Sequence, residues 1–143
     1  IEAGTKYRQP VSALDVFPTL LAAAGQGMPA DRSLDGVDLL PHLNLQTNSS
    51  PHTALFWRQG PNWAVRQNDW KLIHAANQNW LYDLSNDPAE RINLAKRNPE
   101  VIKKLTKVFD DWNADNVDPL WPPLGGKSLS SFAVDGVAIT WVL

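Results

Sequence analysis

Apolar residues recur at Val16, Phe17, Leu20, Leu21 and Ala24, the spacing of one helical face. Asp15 stands before this run as a candidate N-cap, and Gly25 follows it as a left-handed C′ residue. Pro18 falls at the third helical position, where an N–H has no intrahelical partner to lose. Val11-Ser12-Ala13-Leu14 reads as a short strand leading in. Residues 26–33 form a Gly/Pro-bearing linker, and Asp35-Gly36 makes a turn. Asp38 then caps a second short helix, Leu39 to Leu43, with Pro41 in its first turn. Residues 44–53 are polar and loop-like.

The pattern next changes to short apolar runs separated by turn residues every eight to ten positions, the signature of an antiparallel meander. The predicted strands are 54–58, 63–66, 70–74 and 80–84. Trp70, Leu72 and His74 share one face of the third; Trp80, Tyr82 and Leu84 share one face of the fourth. Ser85 to Pro88 closes the sheet, and Ala89 to Leu94 reads as a helical turn. Asn98-Pro99-Glu100 supplies a cap, a Pro at the first helical position and an acid in the first turn. The helix beyond it carries Val101, Ile102, Leu105, Val108, Phe109 and Trp112 on one side and Lys103, Lys104 and Lys107 on the other. Such a helix packs across the preceding sheet. Residues 118–126 read as an extended linker, and Phe132 to Leu143 as a hairpin on the Asp135-Gly136 turn. The fold class is α+β: a four-stranded antiparallel sheet packed by a helix, preceded by short helices and followed by a C-terminal hairpin.

Composition narrows the functions open to this fold. The 143 residues carry a formal net charge of -2 and no Cys. A chain of this length can bury a real core. Its near-neutral charge argues against a nucleic-acid partner, which would need a basic face. No apolar run reaches the roughly 18 residues of a membrane-spanning helix, so no membrane partner is predicted. The absence of Cys removes disulfides, thiolate metal sites and thiol nucleophiles. Seven Trp against two Tyr and four Phe call for a wide aromatic core or a stacking surface. The opening residues lack both Met and an apolar leader, and a portion of a longer protein is expected.

Most catalytic constellations fail on inspection. Gly125-Gly126-Lys127-Ser128 ends like a phosphate-binding loop, but Trp121 stands where its first Gly is required. Asp111, Asn113 and Asp115 start like a calcium loop, yet Asn116 and Pro122 replace the required Gly and Glu. A solvated helix end explains them better. His42, His52 and His74 are too scattered for a metal site and read as structural. No Gly-x-Ser-x-Gly elbow is present. Trp57, Trp63, Trp70 and Trp80 suggest a sugar-stacking platform, although a core between sheet and helix is the commoner use of such residues. Asn48-Ser49-Ser50 is a glycosylation sequon, which matters only in a eukaryotic secretory protein.

One family accounts for the order of these pieces. Val11-Ser12-x-Leu14-Asp15-Val16-Phe17-Pro18-Thr19-Leu20-Leu21 with Gly25 is followed by Leu34-Asp35-Gly36-Val37-Asp38-Leu39-Leu40-Pro41. Then come Ala64-Val65-Arg66, Trp70-Lys71-Leu72-Ile73, and Leu81-Tyr82-Asp83-Leu84 with Asp87-Pro88-x-Glu90-x-x-Asn93-Leu94-Ala95. The series resembles the C-terminal region of the sulfatases, arylsulfatase-like enzymes of the alkaline-phosphatase-like fold.

The resemblance implies that residues 1–43 are the C-terminal edge of an α/β catalytic core and 44–117 a small C-terminal domain. Residues 118–143 would be linker and hairpin tail. It implies a sulfuric ester hydrolase whose formylglycine, made from Cys or Ser in a C/S-x-P-x-R motif, and whose calcium lie upstream. The one Ser-x-Pro here, Ser49-Ser50-Pro51, continues to Thr53 where Arg is needed. No catalytic or metal residue is therefore carried over, and the chain alone is expected to be inactive. Its implied partners are the N-terminal core and a sulfated sugar or aryl sulfate, in a periplasmic or secreted setting. In such an enzyme this region shapes the substrate rim. The loop after the first meander strand, Trp57-Arg58-Gln59, is the candidate: Arg58 would pair with an anionic substrate and Trp57 would stack on a ring. The helical stripe Val16/Phe17/Leu20/Leu21/Ala24, left without its core, is expected to drive self-association. The alternative is a stand-alone carbohydrate-binding or protein-interaction module.

Overall fold

The computed structural model describes residues 1–117 and 128–142. The chain divides into two compact units, Ile1–Thr53 and Ala54–Leu143.

In the first unit, Ala13–Asp15 forms a 3-10 turn, where a strand was expected over 11–14. A capping box explains the difference. Ser12 Oγ accepts the Leu14 N–H at 3.2 Å, and Asp15 Oδ2 accepts the Ser12 N–H at 2.7 Å. These local bonds satisfy backbone groups that a strand would have to pair with a neighbour. Helix α1 (Val16–Ala23) follows directly, so the Asp15 side chain turns back and does not cap it. Gly25 does terminate α1, at φ +69°. Gly25 N–H bonds Ala22 O and Gln26 N–H bonds Leu21 O, a Schellman pair. Helix α2 begins one residue later than expected (Leu40–Leu43) with Leu39 as its N-cap residue; Asp38, expected as the cap, precedes it, and its Oδ1 accepts the Leu40 N–H at 2.9 Å.

In the second unit, β1 (Leu55–Gln59), β2 (Asn62–Gln67), β3 (Trp70–Ala75) and β4 (Gln78–Asp83) form an antiparallel sheet in sequence order. Two-residue links join them, with positive φ at Gly60, at Asn68 and at both Ala76 and Asn77. Helix α3 (Pro99–Asn113) lies across one face. The cross-strand row Phe56–Val65–Leu72–Leu81 meets its Leu105 and Phe109 there, and Val65, Leu72 and Leu81 have no exposed surface. Aromatic stacking closes the layer, Phe56 on Trp112 at 4.7 Å and Trp63 on Phe109 at 4.2 Å between ring centroids. The expected helical turn at 89–94 is irregular chain instead; a 3-10 turn follows at Ala95–Arg97.

The opposite face of the sheet is also apolar. Ala75, Trp80 and Tyr82 pack with Ile139 of the hairpin β5 (Ser128–Val134) and β6 (Val137–Val142). Asp135 and Gly136 form its turn at φ +51° and +78°, as an Asp-Gly hairpin turn requires. Trp80 Nε1 donates to Asp135 Oδ2 at 3.1 Å. The expected linker at 118–126 lies outside the described residues.

Candidate functional site

The sheet's second face carries the candidate site. Alternation along antiparallel strands places Trp57, Ala64, Ile73 and Trp80 in one cross-strand row on that face. Trp63 and Trp70 take the helix side instead, packed against the core. The four Trp residues are therefore divided between two faces and do not form one platform. Above the second face is a cavity of about 680 Å³, within the size range of small-molecule sites. Trp57, Ile73 and Trp80 line it on the sheet side, and Val134 and Ile139 of the hairpin on the other.

The residues Trp57, Arg58 and Gln59 belong to β1 itself, where a loop was expected. All three reach the cavity lining. Trp57 lies on the edge strand with 49% of its surface exposed, so its indole is available to a ligand. Arg58 is tied to the end of α3: Nη1 donates to Asn113 Oδ1 at 2.5 Å and Nη2 to Val117 O at 2.8 Å. Arg58 is the register partner of Trp63, so its guanidinium lies on the α3 side of the sheet, opposite Trp57, with N–H donors to spare there. On another side of the cavity, Lys71 Nζ and Glu90 Oε1 form a half-buried ion pair at 2.6 Å.

The polar residues of the recurring sequence pattern have structural tasks. Asp87 Oδ2 accepts the N–H groups of Arg91 and Ile92 at 2.7 and 2.8 Å. Asn93 Oδ1 accepts the Leu81 N–H at 3.1 Å, and Leu94 N–H donates to Leu81 O at 2.8 Å. Asn93 and Leu94 thus cover the free edge of β4. Lys71 is paired to Glu90. In the first unit, Asp15 is fully buried and accepts from the N–H groups of Ser12 and Val37 at 2.7 and 2.9 Å. His52 Nε2 lies 2.9 Å from both Asp15 oxygens. Burial would raise the Asp15 pKa; hydrogen bonds from Ser12, His52 and Val37 and the His52 charge outweigh it, leaving the pKa below the ordinary carboxylate value.

The family model described as N-sulphoglucosamine sulphohydrolase, C-terminal, matches residues 1–115, four-fifths of the chain. The chain belongs to the sulfatase family. The uncharacterized sulfatase YdeN of Escherichia coli K12 is 30% identical over 166 aligned residues, covering 88% of this chain and 29% of YdeN. The solved structure of Ps i-CgsB superposes with a TM-score of 0.70 at 29% identity, over 85% of this chain and 28% of that one. The structure of BT4656 with its substrate D-glucosamine-2-N,6-O-disulfate gives a TM-score of 0.56 at 25% identity, over 70% and 23%. This sulfatase chain spans less than a third of the length of these relatives.

The metal implied for the family finds no matching donor cluster among the described residues. Among the described residues, no three His, Asp or Glu side chains converge as a metal site. Asp111, one of the acids that begins like a calcium loop, is exposed and accepts from Lys107 Nζ at 2.6 Å.

Proposed function

We propose that this chain is the C-terminal portion of a sulfuric ester hydrolase acting on a sulfated saccharide. In this reading the formylglycine and calcium belong to an N-terminal core. The chain supplies packing and part of the substrate rim, and it does not turn over substrate alone. The carrying observation combines the family match with the residues themselves. The whole 143-residue sequence contains neither Cys nor a Ser-x-Pro-x-Arg motif, so it cannot furnish the formylglycine. The sulfated glucosamine bound as substrate by BT4656 supports the choice of a sulfated sugar.

Within that enzyme, residues 1–43 are proposed as the edge of the core, 44–117 as the small C-terminal domain and 118–143 as its tail. Trp57, Arg58 and Gln59 form the rim: on one face of β1 Trp57 stacks on a sugar face and Gln59 hydrogen-bonds hydroxyls, while on the α3 side the remaining donors of Arg58 meet an anionic group. Assay of the chain on an aryl sulfate with calcium tests the reading. No turnover is expected alone, and turnover is expected when the N-terminal core is supplied. Turnover by the chain alone overturns it.

A further inference from the structure

We propose that the cavity on the sheet's second face binds the uncharged part of a saccharide, and does so without the catalytic core. The row Trp57–Ala64–Ile73–Trp80 forms its floor. Two indoles stand at the ends of this row, and small Ala64 sits beside the exposed Trp57. A flat ring can lie against that indole because the neighbouring strand has only a methyl group there. The cavity edge is polar. Gln59 and Asn62 are register partners at the end of the β1–β2 ladder, and both reach the lining. Among the described residues, neither carboxamide has a hydrogen-bond partner of its own. The Lys71–Glu90 pair, with side chains 24% and 30% exposed, adds a donor and an acceptor to the lining.

This combination selects the occupant. A wholly apolar molecule would cover the carboxamides and the ion pair without satisfying them, which costs free energy for each stranded group. A pyranose has a C–H face for the indole and a ring of hydroxyls for the edge. Charge decides between its sulfated and neutral portions. Lys71 is already neutralised by Glu90 at 2.6 Å, and the Arg58 guanidinium is held by Asn113 and Val117 on the α3 side of the sheet, the face opposite Trp57. The cavity therefore offers balanced charge and recognises hydroxyls, not sulfate.

Titration of the 143-residue chain with N-acetyllactosamine and with its 6-O-sulfated form, followed by tryptophan fluorescence and calorimetry, tests this. Both sugars are expected to saturate with dissociation constants in the millimolar range or tighter, within about threefold of each other. Added salt should not change them, because no net charge is neutralised on binding. Trp57→Ala is expected to weaken binding about tenfold or more, Trp57→Phe less. Ala64→Leu, which fills the floor, should also weaken it. No saturation by the neutral sugar overturns the proposal. So does binding restricted to the sulfated form and lost with salt, equal affinity for hexanol, or unchanged affinity in both Trp57 variants. Loss of the sulfatase reading would appear in the turnover assay and leaves this titration unaffected.

Discussion

The imidazole Nε2 of His52 is 2.9 Å from both oxygens of a carboxylate, Asp15, that has no exposed surface. Ser12 and Val37 donate their N–H groups to the same carboxylate. Asp15 and Pro18 are the only fully buried residues described in Ile1–Thr53. The unit is thus organised around a polar node more than around an apolar core.

Removing that node should be costly. Asp15→Ala strands two backbone donors and the imidazole, and a loss of about 3–5 kcal/mol is expected for breaking such a buried pair. Amide exchange should accelerate at Ser12 and Val37. Protection at Leu72, which belongs to the sheet core, should be unchanged. Unchanged exchange at Val37 in the variant would contradict the role assigned to Asp15.

The same carboxylate sets an acid limit. Its pKa in the folded unit is below the unfolded value of about 3.9. The stabilisation it gives is therefore fully present above about pH 3.9 and is lost as pH falls through the lower folded value. Exchange at Val37, followed during acid titration, should rise below that pH. In Asp15→Asn this acid-dependent step should be absent.

The sheet and α3 were legible in the sequence because their signals are local. Period-two alternation, two-residue turns and the stripe from Val101 to Trp112 each act within a few residues. The Asp15–His52 contact was not legible, because 37 positions separate its members and neither has a partner at helical or strand spacing. The site was half legible. Residue type singled out Trp57, but its place on the face opposite Trp63 follows only from the strand register. The strand expected at 11–14 failed because a Ser12–Asp15 capping box competed locally with strand pairing.

Burial predicts where deletion of side-chain volume is felt. Leu72 is fully buried among Val65, Leu81, Leu105 and Phe109, so Leu72→Ala should cost about 2–5 kcal/mol in denaturant unfolding. Leu20 in α1 is 63% exposed, and Leu20→Ala should change stability by no more than about 0.5 kcal/mol. Equal effects would contradict the assignment of the core.

Gly36 is held by close approach. A Cβ added there would collide with the carbonyl group of Leu14. Gly36→Ala should therefore push the 36–37 segment away from the Ala13–Asp15 turn and break the Val37 N–H bond to Asp15. Fast exchange at Val37 with protected sheet amides is the expected result. Full protection at Val37 would show that the Leu14 carbonyl moves aside.

The exposed side of α1 leads to the last prediction. Val16, Phe17 and Leu20 are each more than half exposed on one helical face, and Leu14 just before the helix is 60% exposed. Clustered apolar surface of this kind gains free energy when it leaves water, about 25 cal/mol per Å². In the proposed enzyme the N-terminal core would cover it. For the isolated chain the available cover is a second copy, and reversible self-association is expected. Sedimentation velocity over a concentration series should show the weight-average size rising with concentration. The double substitution Phe17→Ser and Leu20→Ser should return the chain to a monomer at all concentrations, with unchanged circular dichroism because neither side chain is buried. A wild-type chain that stays monomeric across the series would show that this face tolerates water.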